Sequence, residues 1–511
     1  MSAVAITEEQ QPSRRLVIIG LDGADHRLTE ELIKEGSLQH LSAMGASGCF
    51  SPLKSSIPPQ TAPGWTSLTT GVNPGKHGIY YFYNFSHSPL TITNAADTSA
   101  PRIWDYVEAA HGRSVVVNVP ITYPAKEMLG TMVSGIPPWY LDERSVYPAS
   151  LYGKLRAMKY EIDAPMSRSL EKRPRDLMAR LIETADRRVE VFLDLLKKND
   201  WTFGMIVITA LDRLQHHLMG EGAEEDEVVR QGYREVDRLV GRVVDAIGEG
   251  VNYMVVSDHG FNTRPVAFYP NAWLYRNGFL RRKSSLRFKL TGKAHALVDG
   301  HLLWLPQRLT KRFQGGRTVV HTIDAVDLER SRAFVPGTDG VVVVKAPEDE
   351  QSILSGLSGI RDQAGSEVCR VYRRDQVFKG TRLDAAPELL IIPREDINIL
   401  ADPFSRDVVS TKGNFPKANH GPNGIFFAAG PAIRTTGSVS VTLEDVAPTA
   451  LRLLDLRPPD TMDGAPLTDI MKEPLRGLVP LSDVARPPRS FAFSEAEEKS
   501  VMERLENLGY I

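Results

Sequence analysis

The sequence predicts an α/β protein: a doubly wound, mostly parallel sheet flanked by helices, with an inserted α+β cap. Three observations predict it. Four short apolar runs, at 16–20, 115–119, 203–208 and 253–256, each stop at a polar or proline-containing turn. Such runs are the mark of strands buried on both faces of a parallel sheet. Two longer segments carry apolar residues at helical spacing. Strand followed by helix followed by strand means βαβ units and a doubly wound sheet. The alternation then breaks off between 265 and 400.

The first run, Leu16 to Gly20, stops at Asp22-Gly23. The second ends at Pro120, the third near Asp212, the fourth at Ser257-Asp258-His259-Gly260. The helix predicted over 174–198 presents Leu177, Leu181, Ala185, Val189, Phe192 and Leu196 on one face. The helix predicted over 224–247 presents Val228, Tyr233, Val236, Val240, Val243 and Ala246. After 265 come a basic segment at 281–317 and short strands such as 340–344. The sheet pattern is expected to resume near 389–392 and again at 425–428. The expected division is a discontinuous core of 16–264 and 401–475, a cap of 265–400, and a tail of 476–511. A short helix is expected near 494–507, with acids in its first turn as the helix dipole prefers.

Composition narrows the function classes. With 511 residues, 42% hydrophobic, the chain can bury a large core, which excludes global disorder. Lys and Arg total 61 against 63 acids, which argues against dedicated nucleic-acid binding. Two cysteines, Cys49 and Cys369, exclude a disulfide framework or a Cys-rich metal site. A metal site must then use His and carboxylates. No apolar run approaches ~18 residues, so no transmembrane segment is expected. The polar N-terminus lacks a signal-like apolar stretch, so the expected location is cytoplasmic.

Ligands of doubly wound sheets bind beyond the C-terminal strand ends. Five candidate sites recur near strand or helix ends. Asp22 follows the first run. Thr61 opens an apparent helix with Pro63 in its first turn. A helix N-terminus suits a phosphate-binding nucleophile, although Thr61 alone also reads as an N-cap. Asp212 and His216, four apart, share a helix face and can chelate one ion. His217 falls off that face. Asp258 and His259 precede Gly260, which allows the turn that would bring both to one metal. His420 precedes the run at 425–428. Jointly, Asp22, Asp258 and His259 with Thr61 can bind one cation, and Asp212, His216 and His420 another. Two such cations would clamp an in-line phosphoryl displacement. Mixed N/O ligands suit Zn²⁺, with Mn²⁺ as the alternative.

Taken together, these residues resemble the alkaline phosphatase superfamily, and within it the type I phosphodiesterase/nucleotide pyrophosphatase family. The resemblance covers roughly 16–475. It also uses the Thr70-Gly71 to His77-Gly78 stretch, the 443–449 segment and Met462-Asp463-Gly464. It implies a metal-dependent hydrolase with Thr61 as a transiently phosphorylated nucleophile. It implies that Asp22, Asp258 and His259 hold the activating metal, and Asp212, His216 and His420 the leaving-group metal. His77 matches a family position and is expected to be structural. Family members have Asn three residues after the nucleophile; here that residue is Gly64, followed by Trp65. Both are candidate substrate-binding positions, and the change bears on nucleotide specificity. A phosphate monoesterase or phosphomutase is the nearest alternative, a metal-free binding or scaffold protein the more distant one. The expected partner is a small phosphorylated substrate. The ten basic residues of 281–317 are expected to form a solvated cap face; the sharper alternative is a contact for an anionic partner that also steers anionic substrate. Tyr80, Tyr81, Phe82, Tyr83 and Phe85 could stack a base, but core packing is the expected role.

Overall fold

A computed structural model describes residues 14–84, 91–283, 325–413, 415–472, 484 and 490–507. Two compact units divide the chain. The first runs to Phe261, takes in 378–386 and resumes at His420 through Val501; the second comprises 262–377, 387–419 and the chain end from Met502.

The first unit is built on a nine-stranded sheet. Its strands are β1 (Arg15–Leu21), β2 (Cys49–Lys54), β3 (Ser114–Val119), β4 (Gly130–Ser134), β5 (Val146–Tyr147), β6 (Phe203–Ile208), β7 (Val251–Val256), β8 (Asn423–Ala429) and β9 (Val441–Thr442). The spatial order is β9-β2-β8-β7-β1-β6-β3-β4-β5. β7, β1, β6, β3 and β4 run parallel. β8 runs antiparallel to both β7 and β2, and β5 antiparallel to β4. Every residue of β3, β6 and β7 is buried, as their unbroken apolar runs require.

The helices that place the site are α1 (His26–Lys34), α2 (Thr61–Thr70), α3 (Pro174–Lys198), α4 (Ala210–Leu218), α5 (Ala223–Ile247) and α6 (Leu443–Leu453). The six apolar residues of the α3 face are all buried. On α5 the same holds except for Ala246, which is exposed in the last turn. α2 is buried along its whole length. Its Trp65 and Leu68 share an apolar cluster with Val446, Ala447, Ala450 and Leu451 of α6 and with Ile18, Met205, Met254 and Phe426 of the sheet. No helix among the described residues is long and apolar enough to cross a membrane.

The second unit has a four-stranded antiparallel sheet in the order Ala333–Phe334, Val341–Val344, Leu389–Pro393, Cys369–Arg373. A three-stranded sheet has Val266–Phe268 between Ile397–Ile399 and Val409–Ser410. The strand at Leu389–Pro393 therefore belongs here and does not resume the central sheet. An apolar run reports burial on both faces and is silent about which sheet provides it. The first unit also takes in 378–386, inside the expected cap, and then resumes at His420, later than the expected 401. The basic segment at 281–317 lies mostly outside the described residues, as does Phe85. Of its described members, Arg282 is committed to packing: its guanidinium lies 3.4 Å from the Tyr275 ring centre and donates to the Pro403 carbonyl.

Candidate active site

The site forms where adjacent parallel strands end. β7, β1 and β6 are neighbours, so their C-terminal ends bring Asp258 and His259, Asp22, and the start of α4 to one edge. β8 is antiparallel to β7, so its beginning, preceded by His420, lies at that edge too. The Asp22 N–H donates to the Ile208 carbonyl at 2.9 Å, and the Asp212 N–H donates to the Asp22 carbonyl at 3.1 Å. Gly23 turns the chain with φ +74, and a Cβ there would lie 3.0 Å from Asp212 Cα. Glycine is required on both counts. Gln215 Nε2 donates to the Gly23 carbonyl at 2.8 Å, and Tyr233 Oη donates to Gln215 Oε1 at 3.0 Å, which ties this loop to α4 and α5.

Thr61 is the first residue of α2. Pro63 has no N–H, and the Gly64 N–H is used by the Gln60 carbonyl at 2.8 Å. The Thr61 and Ala62 N–H groups belong to the first turn, where an α-helix has no internal acceptors. Thr61 Oγ1 lies 3.3 Å from His259 Nε2.

Two triads converge beside Thr61, all of their residues buried except His216, whose side chain is 11% exposed. In the first, His259 Nε2 is 3.3 Å from Asp258 Oδ2 and 3.6 Å from Asp22 Oδ1. In the second, Asp212 Oδ1 is 3.3 Å from His216 Nε2 and 3.4 Å from His420 Nε2. Within each triad the ligand-type atoms lie within 4.8 Å of one another. The His259 and His420 rings stack at 3.7 Å, and Phe261 meets the His216 and His420 rings edge-on.

The hydrogen bonds fix two tautomers. His259 Nδ1 is 3.1 Å from the Gly260 carbonyl, and His420 Nδ1 is 3.1 Å from the Pro59 carbonyl. A carbonyl only accepts, so each Nδ1 carries the proton and each Nε2 presents a lone pair to its triad. This is the usual way a ligating imidazole is oriented. The protein's own charges do not balance the first triad. Among the described residues, both Asp22 carboxylate oxygens and Asp258 Oδ2 are buried without a hydrogen-bond donor. Burial, then the Asp258 and Asp212 carboxylates, push Asp22 well above the usual carboxylate range. Burial, then Asp212, push Asp258 up to about 8. Burial also opposes the charge of Asp212, but His216, His420 and Arg213 together hold it well below its ordinary value. Burial lowers His216 and, with His420, lowers His259 further. Neutral imidazoles beside buried carboxylates suit a divalent cation of the zinc or manganese type.

The structure brings Asp22, Thr61, Asp212, His216, Asp258, His259 and His420 together. Gly64 packs against Asp258, and a Cβ on it would lie 3.0 Å from Asp258 Cβ. Trp65 is fully buried in the apolar core with its ring over Gly20 of β1, so it supports α2 from below and offers no surface to a substrate. His77 accepts from the Ile79 N–H through Nδ1 at 3.0 Å and so donates from Nε2 to Ser67 at 3.0 Å. That is a structural staple at the end of α2. Tyr80 to Tyr83 are buried, with Tyr81 and Tyr83 rings 4.6 Å apart. The Met462-Asp463-Gly464 signature is also structural. Asp463 Oδ2 accepts from the Asn73 N–H at 2.8 Å, and Asp463 Oδ1 pairs with Lys76. Sequence reasoning missed Arg213 and Gln215, which lie inside the Asp212-to-His216 segment but off the chelating pair. Asp163, which meets Arg213 at 3.0 Å, carries no local signal at all.

Residues 16–423 match the type I phosphodiesterase / nucleotide pyrophosphatase family. The chain belongs to that family, within the alkaline phosphatase superfamily. Among curated proteins, none matches the sequence. Murine ectonucleotide pyrophosphatase / phosphodiesterase 5, an inactive threonine-to-alanine variant in complex with AMP, superposes with TM-score 0.56 at 14% identity. That match covers 90% of this chain and 100% of the murine one. The human counterpart gives 0.54 at 15%, with the same coverage. Phosphonoacetate hydrolase from Sinorhizobium meliloti 1021, in complex with phosphonoformate, gives 0.55 at 16%, covering 87% of this chain and 96% of its own. At these identities the likeness speaks for the fold: a mixed α/β protein with a large, mostly parallel sheet.

Proposed function

We propose that this chain is a hydrolase of phosphodiester or pyrophosphate bonds that works through a phosphorylated Thr61. The observation that carries the reading is the placement of Thr61 Oγ1, 3.3 Å from His259 Nε2, at a helix start beside two largely buried Asp/His triads. Asp22, Asp258 and His259 would hold one divalent cation together with Thr61, and Asp212, His216 and His420 a second, Zn²⁺ or Mn²⁺. Bound there, such cations acidify the threonine hydroxyl and neutralise charge on the transferring group.

The remaining work falls to the chain. Thr61 Oγ1 attacks phosphorus in line, and the bond to the leaving alcohol or phosphate breaks. Water then cleaves the phospho-threonine and restores the hydroxyl. The first-turn N–H groups of Thr61 and Ala62 would donate to phosphoryl oxygens. The Nδ1–H bonds of His259 and His420 keep each Nε2 aimed inward throughout. No Arg flanks Thr61 in sequence to grip a dianion, which favours diesters over monoesters. The substrate class is a small phosphorylated compound. The murine neighbour holds AMP and was solved as an inactive threonine-to-alanine variant, which agrees with a threonine nucleophile.

The test is a panel of nitrophenyl phosphodiester, phosphomonoester and sulfate, each with Zn²⁺, Mn²⁺ or EDTA. Diester cleavage should require metal and vanish in Thr61→Ala. Cleavage that survives either change overturns the mechanism, and preferential monoester turnover would move the reading to a phosphatase.

A further inference from the structure

Arg213 follows Asp212 directly, yet it is not one of the triad residues. Its side chain is 1% exposed, between Asp212 at 0% and Asp163 at 2%. Nη1 donates to Asp212 Oδ2 at 2.9 Å, while Nε donates to Asp163 Oδ2 at 3.0 Å. The chain of contacts continues through rigid elements. Thr209, the N-cap residue of α4, donates to Asp163 Oδ1 at 3.2 Å. Arg188 of α3 donates to Thr209 Oγ1 at 3.2 Å and to the Val207 carbonyl at 2.9 Å.

We propose that Arg213 is a positioning residue for Asp212, anchored from behind by Asp163, that turns Oδ1 alone toward His216 and His420. This rests on the two-cation reading above. A carboxylate has two equivalent oxygens and rotates between them. Engaging Oδ2 in a charge-assisted bond leaves Oδ1 at 3.3 and 3.4 Å from the two imidazole nitrogens. The planar guanidinium is suited to this because its donors point in fixed directions, so one group spans both aspartates. Lysine, a point charge on a flexible stem, cannot reproduce the fork. Asp163 has a second effect: it cancels the arginine charge, so the support does not repel a cation held by Asp212. Among the described residues, no arginine reaches the carboxylates of Asp22 or Asp258 in this way; Asp258 Oδ1 accepts a long 3.4 Å bond from the Gly23 N–H. The effect of Arg213 should therefore be confined to one of the two ions.

The experiment is a Zn²⁺ competition titration of the full chain against a chromophoric chelator, resolving both sites. Wild type should bind two ions. Arg213→Lys should keep one at wild-type affinity and weaken the other by about 10–100-fold, the usual range for a residue that orients a ligand. Removing Arg213 alone would strand Asp163, so the neutral pair Asp163→Asn/Arg213→Gln is the second variant. It should show the same one-site loss while still unfolding in a single cooperative transition without metal. Excess Zn²⁺ should restore turnover in Arg213→Lys. Unchanged affinity, tighter binding, or equal weakening at both sites would overturn the proposal. Wild type that binds no zinc would overturn the two-cation reading and this inference with it.

Discussion

Asp258→Asn should stabilise the metal-free protein and destabilise the metal-loaded one. Asp258 is fully buried, and burial with the Asp212 charge pushes its pKa from 3.8 to about 8. A raised carboxyl pKa means that the folded, metal-free state favours the protonated form. The penalty is absent below pH ~4, grows through the window up to pH ~8, and is constant above it. At about 1.4 kcal/mol per pH unit, it reaches roughly 4 kcal/mol at pH 7 and roughly 6 kcal/mol above pH 8. Asparagine removes the charge and so the penalty. In EDTA, the melting temperature of Asp258→Asn should therefore exceed that of wild type by an amount that widens from pH 5 to pH 8, by on the order of 5 °C. Saturating Zn²⁺ or Mn²⁺ should reverse the order, because only wild type supplies both carboxylates of that triad. The assay is thermal unfolding at the two pH values with and without metal. A difference in EDTA that does not change with pH would refute the reasoning.

Other outcomes follow from the same geometry. Thr61→Ala should abolish diester hydrolysis while keeping metal-free stability near wild type, read by turnover and unfolding together. Gly20→Ala places a Cβ 2.3 Å from the buried Trp65 ring and 2.9 Å from Val207. It should cost about 1–3 kcal/mol in denaturant unfolding and lower kcat by displacing α2, whereas wild-type behaviour would mean the core yields freely. Charge reversal at Arg281 and Lys283, sparing the stacked Arg282, should raise KM for an anionic diester at low salt and have little effect at high salt. An unchanged KM would end the steering role of this segment.

The sequence by itself was enough to determine the class of fold and to name most of the residues that the fold brings together as the candidate site. The strands at 16–20, 115–119, 203–208 and 253–256 were legible because burial on both faces leaves an unbroken apolar run. The helices at 174–198 and 224–247 were legible because one apolar face repeats every 3.6 residues. The triad residues were legible because reactive Asp and His stood beside strand ends, where this architecture gathers ligands. Only the tertiary structure decided the rest. The strand at 389–393 went to a separate sheet, since an apolar run records burial and not the partner that provides it. Trp65 went beneath the site into the core, because the direction of a side chain depends on how α2 lies on the sheet. The tautomers of His259 and His420 depended on carbonyls that only the fold supplies, the more distant being Pro59, 361 residues from His420. The Asp163–Arg213 anchor joined residues 50 apart with no shared motif. Local pattern carries periodicity and chemistry; which distant group meets which is a property of the packed chain.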